Sequence, residues 1–299
     1  MENTIDLKEE LVKLSDKTKF SSLLLEKDYN LTRILHKISE RKIKDLVFKG
    51  GTCLNKCYLG FYRLSEDLDF VFNQDVKGLP KTQIKKILDS LRRTIFEILN
   101  ELGLETNKEL GKGWKMLTSK KEPKIVGLEI ITQYISLLDN SLQKIKIEIS
   151  FRNKLINPTK TKPIHHEFIN ALGEPILKED VEIEVIDLSE NFAEKFRALV
   201  TRKNIAIRDV YDIYFILKDN ILKIDKKIIE IILIKIRESL GPKFTKKDLG
   251  DFIIGLNSNI SNLNEKEMLS VLKSEEKVDI SKMIDLIVKS FLAADTRTE

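Results

Sequence analysis

An α/β fold followed by an all-helical lobe is the class that this sequence predicts, and three observations carry it. Up to about residue 188, stretches with helical periodicity alternate with short β-branched or alternating runs. Three such runs lie in the middle of the chain. From Ser189 onward every apolar stripe recurs at helical spacing. The expected domains are therefore residues 1–188 and 189–299, joined by a strand-to-helix switch rather than a flexible linker.

The elements follow in order. Leu24, Asp28, Leu31, Leu35 and Ile38 recur at helical spacing, which predicts an amphipathic helix from about Ser21 to Arg41. The run Asp45-Leu46-Val47-Phe48-Lys49 predicts a buried strand that ends at Gly50-Gly51. Thr52 opens a second helical pattern through Leu54, Cys57 and Tyr58. Asp67-Leu68-Asp69-Phe70-Val71-Phe72 alternates polar and apolar positions, as a strand with one wet face does. Lys81 to Leu102 reads as a helix ending at Gly103. Ile125 to Ile131 and Lys144 to Phe151 read as strands, the latter with Ile145, Ile147 and Ile149 on one face and Lys146, Glu148 and Ser150 on the other. Asn157 to Glu174, with Pro158 and Pro163, reads as a loop or edge excursion. Val181 to Ile186 is the last expected strand. Beyond it, Phe192, Phe196, Leu199 and Val200 form one helical stripe, and Tyr211, Tyr214, Phe215 and Leu217 the next. Helices are expected again over Lys226 to Leu240 and Ile280 to Leu292, with a break at Gly241-Pro242.

Composition narrows the class of protein. Of 299 residues, 42% are hydrophobic, enough for a packed core and against disorder. A formal net charge of +5 permits an anionic partner without demanding one. Cys53 and Cys57 make neither a CxxC nor a zinc pattern, and His36, His165 and His166 are too few for a His-rich metal site. No run approaches the roughly 18 apolar residues of a membrane span, and Met1–Asp6 does not resemble a signal peptide. A soluble, cytoplasmic protein with no membrane partner is expected.

The strongest local signal is Gly50-Gly51-Thr52, followed by Asp67-Leu68-Asp69. Small residues between a strand and a helix let backbone N–H groups approach an anion, the helix start adds its positive end, and Thr52 offers a hydroxyl. Asp67 and Asp69, two apart on a strand, point to the same face. Carboxylates that close repel one another unless a cation sits between them, and Mg²⁺ takes such oxygens together with substrate phosphates. A phosphate cradle beside a paired carboxylate is the minimal apparatus for metal-assisted nucleotidyl transfer. A third carboxylate would come from a neighbouring strand. Glu148 fits, as does Glu129, and Glu148 reads equally well as a solvated partner of Lys146.

A second cluster runs from Lys195 through Arg202 to Arg208-Asp209-Val210-Tyr211-Asp212. Between Asn191 and Lys218 there are six basic residues against three acidic ones. Lys195 and Arg202 are seven apart, two turns along one face, and could both address a triphosphate. Taken alone, the cluster reads as a salt-bridged helix pair.

Together these segments carry a resemblance. Glu26-Lys27-Asp28-Tyr29, Phe48-Lys49-Gly50-Gly51-Thr52 and Arg63-Leu64-Ser65-Glu66-Asp67-Leu68-Asp69 look like the AbiEii toxin family of nucleotidyltransferases, which includes the MenT-type toxins. Lys195, Ala198 and Arg202 match that family's KxxAxxxR motif, and Asp209 and Asp212 its DxxD. Thr52 stands where the family often has Ser. The resemblance implies a DNA polymerase β-like nucleotidyltransferase core with a mixed sheet over residues 1–188 and a helical C-terminal domain over 189–299. It implies a toxin of a toxin–antitoxin or phage-abortive system that transfers a nucleoside monophosphate from an NTP. The expected acceptor is the 3′ end of tRNA, and the expected partner a cognate antitoxin that need not bind stably.

In that reading Asp67 and Asp69, with Glu148, hold Mg²⁺ or Mn²⁺. Gly50, Gly51 and Thr52 cradle the β- and γ-phosphates, and Lys195 and Arg202 meet the pyrophosphate. Asp212, with Asp209 and Arg208, lines the site. Ser65, two residues before Asp67, lies at its lip, where a phosphate would repel metal and NTP. Two alternatives stand beside it: transfer to a protein or small-molecule hydroxyl, and a catalytically silent nucleotide- or RNA-binding module of a defence system.

Overall fold

The computed structural model describes residues 6–76, 78–119, 124–151, 155–170, 172–256, 268 and 270–295. The first five residues of the opening stretch Met1–Asp6 lie outside them. The chain divides into two compact units: residues 1–155 with 159–186, and residues 156–158 with 187–299.

The first unit is a seven-stranded mixed sheet with helices. Its strands are β1 (Leu46–Lys49), β2 (Asp67–Phe72), β3 (Trp114–Thr118), β4 (Ile125–Ile135), β5 (Leu142–Ser150), β6 (Lys160–Pro163) and β7 (Glu182–Val185), in the spatial order β3-β4-β5-β2-β1-β7-β6. β2 runs parallel to β5 and β1 parallel to β7, while the other pairs are antiparallel. Helices α1 (Leu7–Thr18), α2 (Ser22–Arg41), α3 (Gly50–Cys53) and α4 (Lys81–Glu101) complete the unit, with a π-helical segment, Leu54–Leu59, running on from α3.

Alternation along the strands separates a dry face from a wet one. Leu68, Phe70, Ile147 and Ile149 are buried and pair in register across β2 and β5. They join one core with Leu31, Ile34 and Leu35 of α2 and Ile84, Leu88 and Ile95 of α4. The other face carries the charged residues of β2 and β5. Each apolar side chain buried this way contributes about 1.5–3 kcal/mol, so a one-residue slip of either strand would forfeit the whole face.

The strands and helices expected over residues 21–102, 125–151 and 181–186 are present. Three elements of this unit were not expected. α1 has only Leu11 and Leu14 buried, so its apolar stripe is too sparse to read; Asp6 caps it by accepting from the amides of Lys8 and Glu9. β3 is an edge strand with no fully buried position. β6 lies within the expected excursion of residues 157–174 and sits at the opposite edge, where Pro163 is tolerated.

The second unit is helical: α5 (Leu188–Thr201), α6 (Ile207–Lys218), α7 (Lys226–Leu240), α8 (Lys246–Ile254) and α9 (Ile280–Asp295). α8 was not expected; its start is set by a capping box in which Thr245 and Asp248 satisfy each other's backbone N–H. Phe192, Phe196, Ile213, Ile232, Ile236 and Ile287 are fully buried. A buried ion pair crosses this core. Lys235 Nζ lies 2.6 Å from Glu190 Oε1, and Glu190 also accepts from the amides of Ile156 and Asn157. Burial pushes the Lys235 ammonium pKa down, but Glu194, Glu190 and Glu238 outweigh it and hold the group charged. Among the described residues, no helix is long and apolar enough to cross a membrane.

Candidate active site

The sheet unit and the helical unit each hold one of the two charged clusters. In the sheet unit, β1 ends at Lys49 in extended conformation and Gly50 turns the chain with φ +81°. Only glycine adopts that conformation without strain. A Cβ on Gly50 would stand 2.5 Å from Asp69 Oδ2, and one on Gly51 would stand 2.7 Å from Arg63 Nη2 and 3.2 Å from Ser65 Oγ. The turn is therefore packed directly against the strand that carries the paired carboxylates.

Thr52 departs from its expected place. It is buried, and its Oγ1 donates to the Asp67 carbonyl oxygen at 2.5 Å. The hydroxyl expected to face a phosphate ties the helix start to the first residue of β2 instead.

Register explains the electrostatics of the wet face. Lys49, Asp69, Glu148, Glu129 and Lys115 are cross-strand partners in turn across β1, β2, β5, β4 and β3. Like charges directly opposite each other destabilise a sheet, and here three carboxylates stand in sequence. Lysines offset them. Lys115 Nζ meets Glu129 Oε1 at 2.7 Å, while Lys146 Nζ lies 3.4 Å from Asp67 Oδ2 and 4.0 Å from Glu148 Oε2. Glu148 is thus the register partner of Asp69, whereas Glu129 lies one strand further out in an ion pair of its own.

Burial raises the Asp67 pKa; Lys146 opposes that shift and Asp69 adds to it. For Lys146 burial works downward, but Asp67, Asp69 and Glu148 outweigh it and raise the ammonium pKa. Asp67, Asp69 and Glu148 therefore gather negative charge that the Lys146 ammonium partly compensates.

Among the described residues, no three His, Cys, Asp or Glu side chains converge closely enough to enclose a metal ion on their own. The donors present still suit a hard divalent cation. They are carboxylate oxygens from one face, they already gather a positive charge at Lys146, and Mg²⁺ is usually held by one or two carboxylates together with substrate phosphates.

In the helical unit, four of the expected residues are brought together. Lys195 Nζ lies 2.9 Å from Asp209 Oδ1 and 2.7 Å from Asp212 Oδ2. Arg202 Nη1 pairs with the other oxygen of Asp209. Asp209 and Asp212 are buried. Arg202 does not continue the helical face expected for it: α5 ends at Thr201, and Arg202 is extended at φ −79°, ψ 143°. Its side chain is half exposed, so the guanidinium has donors to offer beyond Asp209. Arg208 sits on the first turn of α6, half-buried beside Asp209 in sequence.

Sequence reasoning gave no role to several residues that support the carboxylates. Three consecutive residues of α2 each hold a different element. Glu26 accepts from Ser136 Oγ and the Leu137 amide, Lys27 pairs with Glu66 at 3.0 Å, and Asp28 pairs with Lys56 of the π-helical segment at 2.9 Å. Glu26-Lys27-Asp28 belongs to a segment carrying the family resemblance, but nothing in its spacing says which groups it would hold.

A family model described as "Nucleotidyl transferase AbiEii toxin, Type IV TA system" matches residues 33–288. No curated protein matches significantly. Among solved structures, MenT4, a nucleotidyltransferase toxin from Mycobacterium tuberculosis H37Rv, is similar with a TM-score of 0.60 and 18% identity, covering 92% of this chain and 83% of that one. JHP933 from Helicobacter pylori is similar with a TM-score of 0.51 and 15% identity, covering 93% of this chain and 94% of that one. At such identities these two likenesses speak for the fold.

Proposed function

Because this chain belongs to the AbiEii nucleotidyltransferase toxin family of type IV toxin–antitoxin systems, we propose that it transfers a nucleoside monophosphate from an NTP to the 3′ end of tRNA. The observation that carries this reading is the Asp67–Asp69 pair on one face of β2, with the Gly50 turn packed against Asp69. A binding module has no use for adjacent carboxylates that repel both each other and a polyanion.

In the reaction, an oxygen of the acceptor hydroxyl attacks the α-phosphorus in line. A P–O bond forms, the bond to the β-phosphate bridge breaks, pyrophosphate leaves, and the hydroxyl proton passes to water. Asp67 and Asp69, with Glu148 beside them, would hold a divalent cation (Mg²⁺ or Mn²⁺), which would supply charge neutralisation at the phosphates. Gly50 and Gly51 meet the triphosphate with the backbone of their turn, and Thr52 anchors that turn to β2. Lys146 keeps the carboxylate face assembled before substrate arrives.

In the helical unit, Lys195 and Arg202 are assigned to the pyrophosphate charge. Asp209 and Asp212 fix the Lys195 ammonium in one position, and Arg208 orients base, ribose or acceptor. The mild net positive charge suits a nucleic-acid acceptor. Ser65 at the lip is the point where a covalent phosphate would shut the site. The protein acts in the cytoplasm, inhibits growth or aborts phage infection, and is neutralised by an antitoxin without a lasting complex.

The test is incubation of the purified protein with each labelled NTP, Mg²⁺ and total RNA. Label at RNA 3′ ends is expected, and label on protein would move the acceptor. Absence of transfer from every NTP would overturn the reading. Lys195→Ala is expected to raise the apparent KM for NTP more than that for RNA.

A further inference from the structure

A glycine pair between a strand and a helix is ordinarily taken to clear space for phosphate. Here both glycines have neighbours from the protein itself. Gly50 faces Asp69. Gly51 faces Arg63, with Nη2 at 2.7 Å, Cζ at 3.6 Å and Ser65 Oγ at 3.2 Å from the place a Cβ would take. A separation of 2.7 Å is well inside van der Waals contact, so any side chain at residue 51 must displace the guanidinium.

That guanidinium is not free to move. Arg63 is 2% exposed, its Nη1 donates to the Leu64 carbonyl at 2.8 Å, and its Cζ lies 5.7 Å from the Tyr62 ring centroid. Asn55 Nδ2, on the π-helical segment, donates to the carbonyl of Arg63 and ties its backbone as well. Arginine is almost never fully buried without such partners. Its burial two residues before Ser65 and four before Asp67 therefore has a structural purpose.

We propose that residue 51 is glycine because Arg63 fills its side-chain space, and that Arg63 is a positioning residue which wedges the Gly50-Gly51 turn against the segment leading into Asp67 and Asp69. This rests on the transferase reading above, in which turn and carboxylates address one substrate. It moves the requirement for glycine at residue 51 from the phosphate to the protein's own guanidinium.

A double-mutant cycle tests it. The Nζ of an Arg63→Lys variant falls near the present Cζ, at a distance where a Cβ on residue 51 makes ordinary contact. Gly51→Ala alone is expected to lower kcat by about 100-fold, the scale of an ångström-sized misplacement of reacting groups, with little change in the KM for NTP. In the Arg63→Lys background, Gly51→Ala is expected to have little further effect, since the Ser65 hydroxyl at 3.2 Å need yield only a few tenths of an ångström, although Arg63→Lys alone reduces kcat. The thermal midpoint is expected to follow the same pattern, falling on Gly51→Ala only when Arg63 is intact. A Gly51→Ala protein that folds only in the Arg63→Lys background is a further outcome in favour.

Equal losses from Gly51→Ala in both backgrounds, or a loss confined to the KM for NTP, would overturn the proposal. The thermal arm reads the contact without turnover. A wild-type protein that transfers no nucleotide would therefore refute the transferase reading while leaving this contact separately decided.

Discussion

Lys56→Met removes one half of a fully buried charge pair in the sheet unit. The Lys56 and Asp28 side chains are 0% and 1% exposed and meet at 2.9 Å, joining the π-helical segment to α2. Removing the ammonium leaves a carboxylate with neither solvent nor counter-ion, and breaking such a pair costs about 3–5 kcal/mol. Loss of the Lys56 ammonium from above the Phe61 ring, 5.4 Å from its centroid, acts in the same direction. A domain of this size shifts its midpoint by roughly 2–4 °C per kcal/mol, so the expected fall is roughly 6–20 °C. Thermal unfolding at pH 7, followed by circular dichroism, measures it. The double variant Asp28→Leu/Lys56→Met removes both charges and is expected to recover most of the loss, because a packed apolar pair can replace a buried ion pair at little cost. A fall below about 1 kcal/mol for Lys56→Met, the range of an exposed pair, would refute the reasoning. So would a double variant less stable than the single one.

Three further outcomes follow from the geometry. Burial raises the Asp67 pKa, so its contribution to stability is present below about pH 4 and lost as pH rises through its folded value. Asp67→Asn is therefore expected to abolish transfer while holding or raising the thermal midpoint at pH 7, and a lower midpoint there would contradict that sign. Glu148→Gln is expected to reduce transfer far more than Glu129→Gln, because Glu148 stands opposite Asp69 and Glu129 is paired with Lys115; equal kcat values for the two would remove Glu148 from the site. Burial, with His166 and Lys56 nearby, pushes the His36 pKa down to about 4. Its contribution to stability is present above pH 6.5 and lost as pH falls toward 4, roughly 3 kcal/mol in all. His36→Phe should flatten that acid limb in urea titrations across the range, whereas parallel limbs would show that His36 is not its source.

Much of the fold was legible because alternation and helical periodicity are local. The isoleucines of β5 and the aspartates of β2 declared their faces within a few residues. α1, β3 and β6 were not legible, since each lies at a margin of the structure and buries too little to leave a pattern. The paired aspartates and the glycine turn were legible for the same local reason. Their surroundings were not. Lys146 reaches Asp67 only because β2 and β5 pair in parallel, a register set between segments nearly eighty residues apart. Arg63 sits against Gly51 through a turn that no periodicity announces. Thr52 shows the reverse case, a hydroxyl whose local context suggested a phosphate and whose tertiary partner is a carbonyl oxygen.

The clasp of Glu190 on the amides of Ile156 and Asn157 bears on the order in which the chain can mature. Residues 156–158 leave the ribosome before β6 and β7, yet the carboxylate that receives their amides is made some thirty residues later. Until α5 exists, those two N–H groups have only water as partners. Until the segment docks, the chain lacks the hydrogen bonds of those amides to Glu190, worth about 1.5–3 kcal/mol each to a charged acceptor. A gene cut after Ile186 would orphan both sides of the clasp, so neither piece is a faithful copy of its unit. Dissection of this protein calls for point variants in the full chain, with the sheet unit and the helical unit synthesised as one thread.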